Sequence, residues 1–76
     1  MIKLDLHGIR HEDVKRKVIK FIEDNWMSGK LVRIITGHSN KMKKLVGEIL
    51  DEYDLDWQIG NGVNPIDITF IQTTLP

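Results

Sequence analysis

The chain has 76 residues, no cysteine, 41% apolar and 29% charged residues, and a formal net charge of zero. A chain this short makes one thin-cored domain, and its composition is that of a soluble globular protein rather than a disordered one. The lack of cysteine excludes a disulfide framework and a thiolate metal site, and no stretch approaches the roughly 20 apolar residues that cross a bilayer.

The N-terminal stretch has no apolar signal core, so the sequence reads as cytoplasmic, with no membrane partner. Its charge is unevenly placed. All eleven Lys and Arg residues fall within residues 1–47, where five acids leave +6, and six acids with no Lys or Arg leave −6 from Glu48 onward. Such asymmetry marks either a polyanion-binding side or a surface whose charges merely segregate along the chain.

Residues 2–6 alternate apolar and polar, the period of a half-buried strand. Leu4 and Leu6 fall on one face, and Lys3, Asp5 and His7 on the other. Gly8 follows and permits a tight turn. Residues 12–27 predict a helix, with Glu12 and Asp13 in its first turn, where acids complement the helix dipole. Val14, Val18, Phe21, Ile22 and Trp26 form its apolar stripe. Its cations have acids four residues away, in Glu12–Arg16, Asp13–Lys17 and Lys20–Asp24, so this helix reads as a self-paired solvated face. Ser28 and Gly29 end it.

Residues 31–36 are rich in β-branched side chains and predict an inner strand. Residues 37–40, "GHSN", predict a turn in which Ser39 or Asn40 caps the next helix. That helix is expected over residues 41–53, with Met42, Leu45, Val46, Ile49, Leu50 and Tyr53 as its core face. Lys41, Lys43 and Lys44 crowd its first turn, the wrong end for the dipole. Cations there are costly unless an anion visits, and a helix N-terminus offers free N–H groups to a phosphate. The plainer reading is that the lysines keep the surface soluble.

Residues 56–59 predict a short strand with Trp57 and Ile59 on one face. Residues 60–65, "GNGVNP", predict a turn. Residues 66–72 predict the last strand, with Ile66, Ile68 and Phe70 inward and Asp67 and Thr69 outward. Trp26 and Trp57 read as core residues rather than base-stacking platforms. The order β-α-β-α-β-β predicts an α/β (α+β) two-layer sandwich, a four-stranded mixed sheet with both helices on one face. The opposite face then carries Lys3, Asp5 and His7.

Parallel first and second strands end at one sheet edge. That places His7 and Gly8 beside Thr36, Gly37, His38 and Ser39, at the kind of edge where α/β sheets bind ligands. Asp5 and His7 are about 6.5–7 Å apart along one strand face, close enough for the carboxylate to orient the imidazole. An imidazole gives or takes a proton near neutral pH. An Asp-x-His pair alone is a weak signal. His11 reads as a first-turn helix residue. No pair of ligands has helical i, i+4 spacing within one element, so the three histidines and Asp5 do not read as a metal site. Ser39 lacks the elbow motif of a serine nucleophile.

These segments resemble a known family. "LDLHG", residues 4–8, resembles the opening signature of the Smr (small MutS-related) domain. "IITGHS", residues 34–39, is similar to that family's second signature, a strand ending in Thr-Gly-x-Gly or His-Gly-x-Gly. "GNGV", residues 60–63, resembles the glycine-rich entry to its last strand. The resemblance covers residues 1–76 in order, as one Smr-like domain, and "LDLHG" is its most specific part. It implies a fold similar to the C-terminal domain of bacterial translation initiation factor three. It also implies nucleic-acid binding, with endonuclease activity as RNA cleavage or nicking of structured DNA. Asp5 and His7 then become the catalytic pair. Lys3, Gly8, Thr36, Gly37, His38, Ser39, Lys41, Lys43 and Lys44 become the phosphate-binding residues. The chain departs from the family at Ser39, where glycine is usual.

Two chemistries fit. RNA brings its own nucleophile, the 2′-OH, so His7 can act as general base without a cofactor. Hydrolysis of DNA calls for a divalent ion, magnesium or manganese, with Asp5 as a ligand. The alternatives are a non-catalytic nucleic-acid-binding module and a protein-interaction adaptor using the acidic residues 48–56.

Overall fold

A computed structural model describes residues 2–37, 39–61 and 69–76, the side chain of residue 61 excepted. The elements are β1 (Ile2–Asp5), α1 (His11–Asp24), β2 (Leu31–Ile35), α2 (Asn40–Glu52), β3 (Trp57–Asn61) and β4 (Thr69–Thr74). The strands lie in the order β1-β2-β4-β3. β1 and β2 are parallel, and the other two pairings are antiparallel. This is the four-stranded mixed sheet with two helices, an α+β fold, that the element order predicts.

The core lies between the helices and one sheet face. Leu4 and Leu6 from the first strand segment, Val32 and Ile34 from β2, and Ile71 from β4 meet Val14, Val18 and Ile22 of α1 and Met42, Val46, Ile49 and Leu50 of α2. Each fully buried Val, Leu or Ile contributes about 1.5–3 kcal/mol by leaving water. Leu75, beyond the last strand, also belongs to this core. Its N–H donates to the Lys30 carbonyl, and Gly29 N–H donates to that of Pro76. Those two bonds tie the C-terminal residues to the entry of β2.

Glycines make room for two aromatic rings. A Cβ on Gly47 would lie 2.7 Å from the Trp57 ring, so the indole packs directly on the α2 backbone. Trp57 Nε1–H donates to Asp51 Oδ1 at 2.9 Å, which holds the ring there. A Cβ on Gly60 would lie 2.7 Å from the Phe70 ring on the opposite sheet face.

Four expectations change. The last strand has the opposite phase: Thr69, Ile71 and Thr73 are buried against the helices, and Phe70 and Gln72 face away. Register decides this, because Ile71 pairs with both Ile34 and Ile59. The buried threonines are tolerated because their hydroxyls find partners, as Thr73 Oγ1 does in the Asp56 carbonyl. The expected start of that strand, residues 66–68, lies outside the described residues, as does most of the turn expected at 60–65. Helix α1 ends at Asp24 rather than near Met27. Asn25 caps its last turn, and its side-chain amide donates to the Phe21 carbonyl. Trp26, past that end, is 41% exposed rather than core, its ring 5.6 Å from that of Tyr53. On α1, Lys20–Asp24 forms as expected at 3.1 Å, but Arg16 pairs with Asp13 at 3.2 Å and Glu12 with Arg10 at 3.6 Å.

Candidate active site

The β1 end is shaped by a short turn. Leu6 N–H continues the parallel ladder to the Ile35 carbonyl, and Ile9 N–H closes back on the Leu6 carbonyl at 3.0 Å. His7 and Gly8 are therefore the two central residues of a four-residue turn. Gly8 takes φ of +79°, a conformation that costs a residue with a Cβ about 1–2 kcal/mol. Asp5 fixes the same turn: its Oδ1 accepts the His7 backbone N–H at 2.8 Å. No hydrogen bond links the Asp5 carboxylate to the His7 imidazole among the described residues. Both side chains are exposed.

The β2 end is tied to β4. Thr36 N–H and Gly37 N–H both donate to the Thr69 carbonyl at 3.1 Å. Thr36 is only 3% exposed, and its hydroxyl lies within bonding distance of the Gly37 and Thr69 carbonyls. Its side chain thus supports the loop from below. Gly37 adopts φ of +68°, and a Cβ placed on it would lie 3.9 Å from His7 Cδ2. The two strand ends therefore lie side by side, and the imidazole borders the space a side chain at position 37 would take.

Helix α2 starts at this edge. Ser39 is its N-cap, with Oγ accepting the Met42 N–H at 3.1 Å. The serine at the position where the signature has glycine thus does capping work. The first turn of α2 contains no acid. Among the described residues, no carboxylate pairs with Lys41, Lys43 or Lys44, nor with Lys3 on the open sheet face. His38 lies outside the described residues.

Among the described residues no group of three or more His or carboxylate side chains is placed to hold an ion. Asp5 is a lone carboxylate with one oxygen already on a backbone N–H. A depression of about 460 Å³ lies at the other end of the sheet, lined by Leu31, Asp54, Asp56 and Leu75 among others. Its acids suit an anion poorly, and it is remote from the strand-end cluster. No helix among the described residues is long and apolar enough to cross a membrane.

The first of the paired strand ends carries the most specific segment of the chain, and comparison with known families agrees with it. The family model described as the Smr domain matches residues 4–61. The chain belongs to the Smr domain family. The matched span begins at Leu4, runs through both strand ends and α2, and closes at the end of β3. Neither the comparison with curated proteins nor that with solved structures gives a match.

The sequence expectations missed two contributors to this Smr domain's surface. Arg33 and Phe70 lie on the open sheet face with the Arg33 guanidinium carbon 4.4 Å from the ring centroid. Correct phasing of the last strand would have put Phe70 there, its signal being Ile71 and the flanking threonines, and the alternation of Val32 and Ile34 about Arg33 would have put Arg33 beside it.

Proposed function

We propose that this Smr domain binds RNA and cleaves it at the β1–β2 edge by attack of the substrate's own 2′-OH. The observation that carries the reading is the parallel pairing of β1 with β2, which brings the turn carrying the exposed His7 alongside the strand end that leads into α2. His7 takes the proton of the 2′-OH. The freed oxygen attacks the adjacent phosphorus, the bond from phosphorus to the 5′-oxygen breaks, and a 2′,3′-cyclic phosphate remains. In this scheme His38, next to Gly37 in sequence, gives its proton to the leaving 5′-oxygen. Lys41, Lys43 and Lys44, with the N–H groups of the α2 start, hold the phosphate and offset its growing charge. Gly8 and Gly37 let the backbone of the nucleic acid approach closely.

The bond from Asp5 to the His7 backbone alters one expected role. Asp5 acts as a positioning residue that fixes the turn carrying the imidazole. No step runs through a divalent ion in this scheme.

Family membership supports nucleic acid as the ligand, and the unpaired lysines at one edge support a polyanion. A non-catalytic binding module is the competing reading, and the same lysines would serve it. Purified protein incubated with end-labelled RNA separates the two. The proposed function predicts cleavage that His7→Gln lowers by about 10²–10⁴-fold. Binding without any cleavage by the wild type would leave only the binding module.

A further inference from the structure

The sheet face turned away from the helices carries two aligned rows of side chains. Strand register puts Lys3, Arg33, Gln72 and Gln58 in one row, and Asp5, Ile35, Phe70 and Gly60 in the next. The first row is wholly polar and holds two cations. Neither cation pairs with a carboxylate among the described residues. In the second row Phe70 lies down across Gly60, where any Cβ would meet the ring at 2.7 Å. Glycine at that position is what lets the ring lie against the sheet rather than stand up from it.

Arg33 links the rows. Its guanidinium carbon lies 4.4 Å from the Phe70 centroid, and its Nε–H donates to Gln72 Oε1 at 3.1 Å. The guanidinium is thereby held both by a ring and by an amide. A planar guanidinium stacks on nucleobases as an aromatic side chain does. The glutamine amides beside it can both donate to and accept from base edges. Lys3 and Arg33 are cations in no ion pair, with Asp5 the acid of the neighbouring row, so the row they share favours a polyanion, and a stacking surface selects one with accessible planar rings.

We propose that this face is a stacking platform for unpaired RNA, with bases on Arg33 and Phe70 and phosphates on Lys3. The proposal deepens the nuclease reading and rests on it. Asp5 shares a row with Phe70, so the platform runs from Lys3 on β1, the strand that delivers His7, to Phe70 on β4, about 10 Å or two strand spacings away. Arg33 and Phe70 offer stacking places for about two bases. A strand laid across it would run on to the β1–β2 edge, where its next phosphate meets His7 and α2. A duplex hides its base faces in its own stack and gains nothing from the platform.

The test is the affinity of a short single-stranded 2′-O-methyl RNA, which lacks the free 2′-OH that cleavage uses, and of a blunt RNA duplex, each by fluorescence anisotropy. Phe70→Leu removes the ring. Arg33→Lys keeps the charge but removes the plane. Both are expected to weaken the single strand by about 5- to 150-fold while leaving the duplex within about twofold. Lys3→Glu, on the exposed edge strand, serves as a variant that spares the core; it is expected to weaken the single strand and reduce its salt dependence. If the wild type binds the single strand and all three variants bind it equally well, the platform is wrong and the nuclease reading stands. Loss of duplex and single-strand binding together in Arg33→Lys also overturns it, because stacking cannot explain that. If the wild type binds no RNA, both readings fall.

Discussion

The Asp5 carboxylate is bonded to the backbone N–H of His7 at 2.8 Å. An acid and an imidazole two residues apart on one strand suggest a pair in which the acid grips the ring. Here the acid grips the chain on which the ring is mounted. Asp5→Asn keeps an oxygen that can accept the same bond, and Asp5→Ala does not. The account predicts that Asn retains cleavage within about threefold, whereas Ala loses about 100-fold through misplacement of the imidazole. Single-turnover rates of the two variants check this. Equal loss in both would mean that the charge, not the bond, is what matters.

Ser39 caps α2 through its Oγ, 3.1 Å from the Met42 nitrogen. Ser39→Ala is expected to cost about 1 kcal/mol and Ser39→Gly only a few tenths, measured by urea unfolding. The glycine variant also restores the residue usual in the signature. Its cleavage rate should match or exceed that of the wild type, because glycine opens the approach to the helix N-terminus.

The lysines at the start of α2 oppose its dipole, with no acid in the first turn to offset them. Lys41→Glu should raise stability by about 0.3–1 kcal/mol. The same change should weaken RNA binding and flatten its salt dependence. Opposite signs in stability and binding are the mark of charges kept for a ligand. Thermal melts and binding isotherms over a salt series read both quantities on one variant.

Gly47 is a helix-interior residue on which the Trp57 indole rests. Gly47→Ala gains about 1 kcal/mol of helix propensity. The new Cβ would lie 2.7 Å from the ring, and the Asp51 bond resists its displacement. Overpacking costs about 1–3 kcal/mol, so net destabilisation is expected. A change in tryptophan fluorescence should accompany it.

Much of this layout was legible in the sequence because single periods dominate its parts. Leu4 and Leu6 fix the phase of the first strand and so send Asp5 and His7 outward. Val14, Val18 and Ile22 mark one helix, and Met42, Val46, Ile49 and Leu50 the other. The final strand was not legible. Its sequence offers two alternations, Ile66–Ile68–Phe70 and Thr69–Ile71–Thr73. Hydropathy favours the first, yet the second forms, because its buried hydroxyls are satisfied and Ile71 sits between Ile34 and Ile59. Reading the wrong phase hid Phe70 and, with it, the open-face partnership with Arg33. The adjacency of the strand ends followed from the parallel β1–β2 pair. The direction of the Asp5 bond depended on the turn geometry, which no periodicity encodes.

The most direct test of the central claim is the chemistry of the product ends. End-labelled RNA is incubated with the protein in the presence of EDTA, and the fragments are resolved by mass spectrometry. The account predicts 2′,3′-cyclic phosphate ends, formed by the wild type and nearly abolished in His7→Gln. Fragments bearing 5′-phosphate ends, or a His7→Gln variant that cleaves at the wild-type rate, would contradict it.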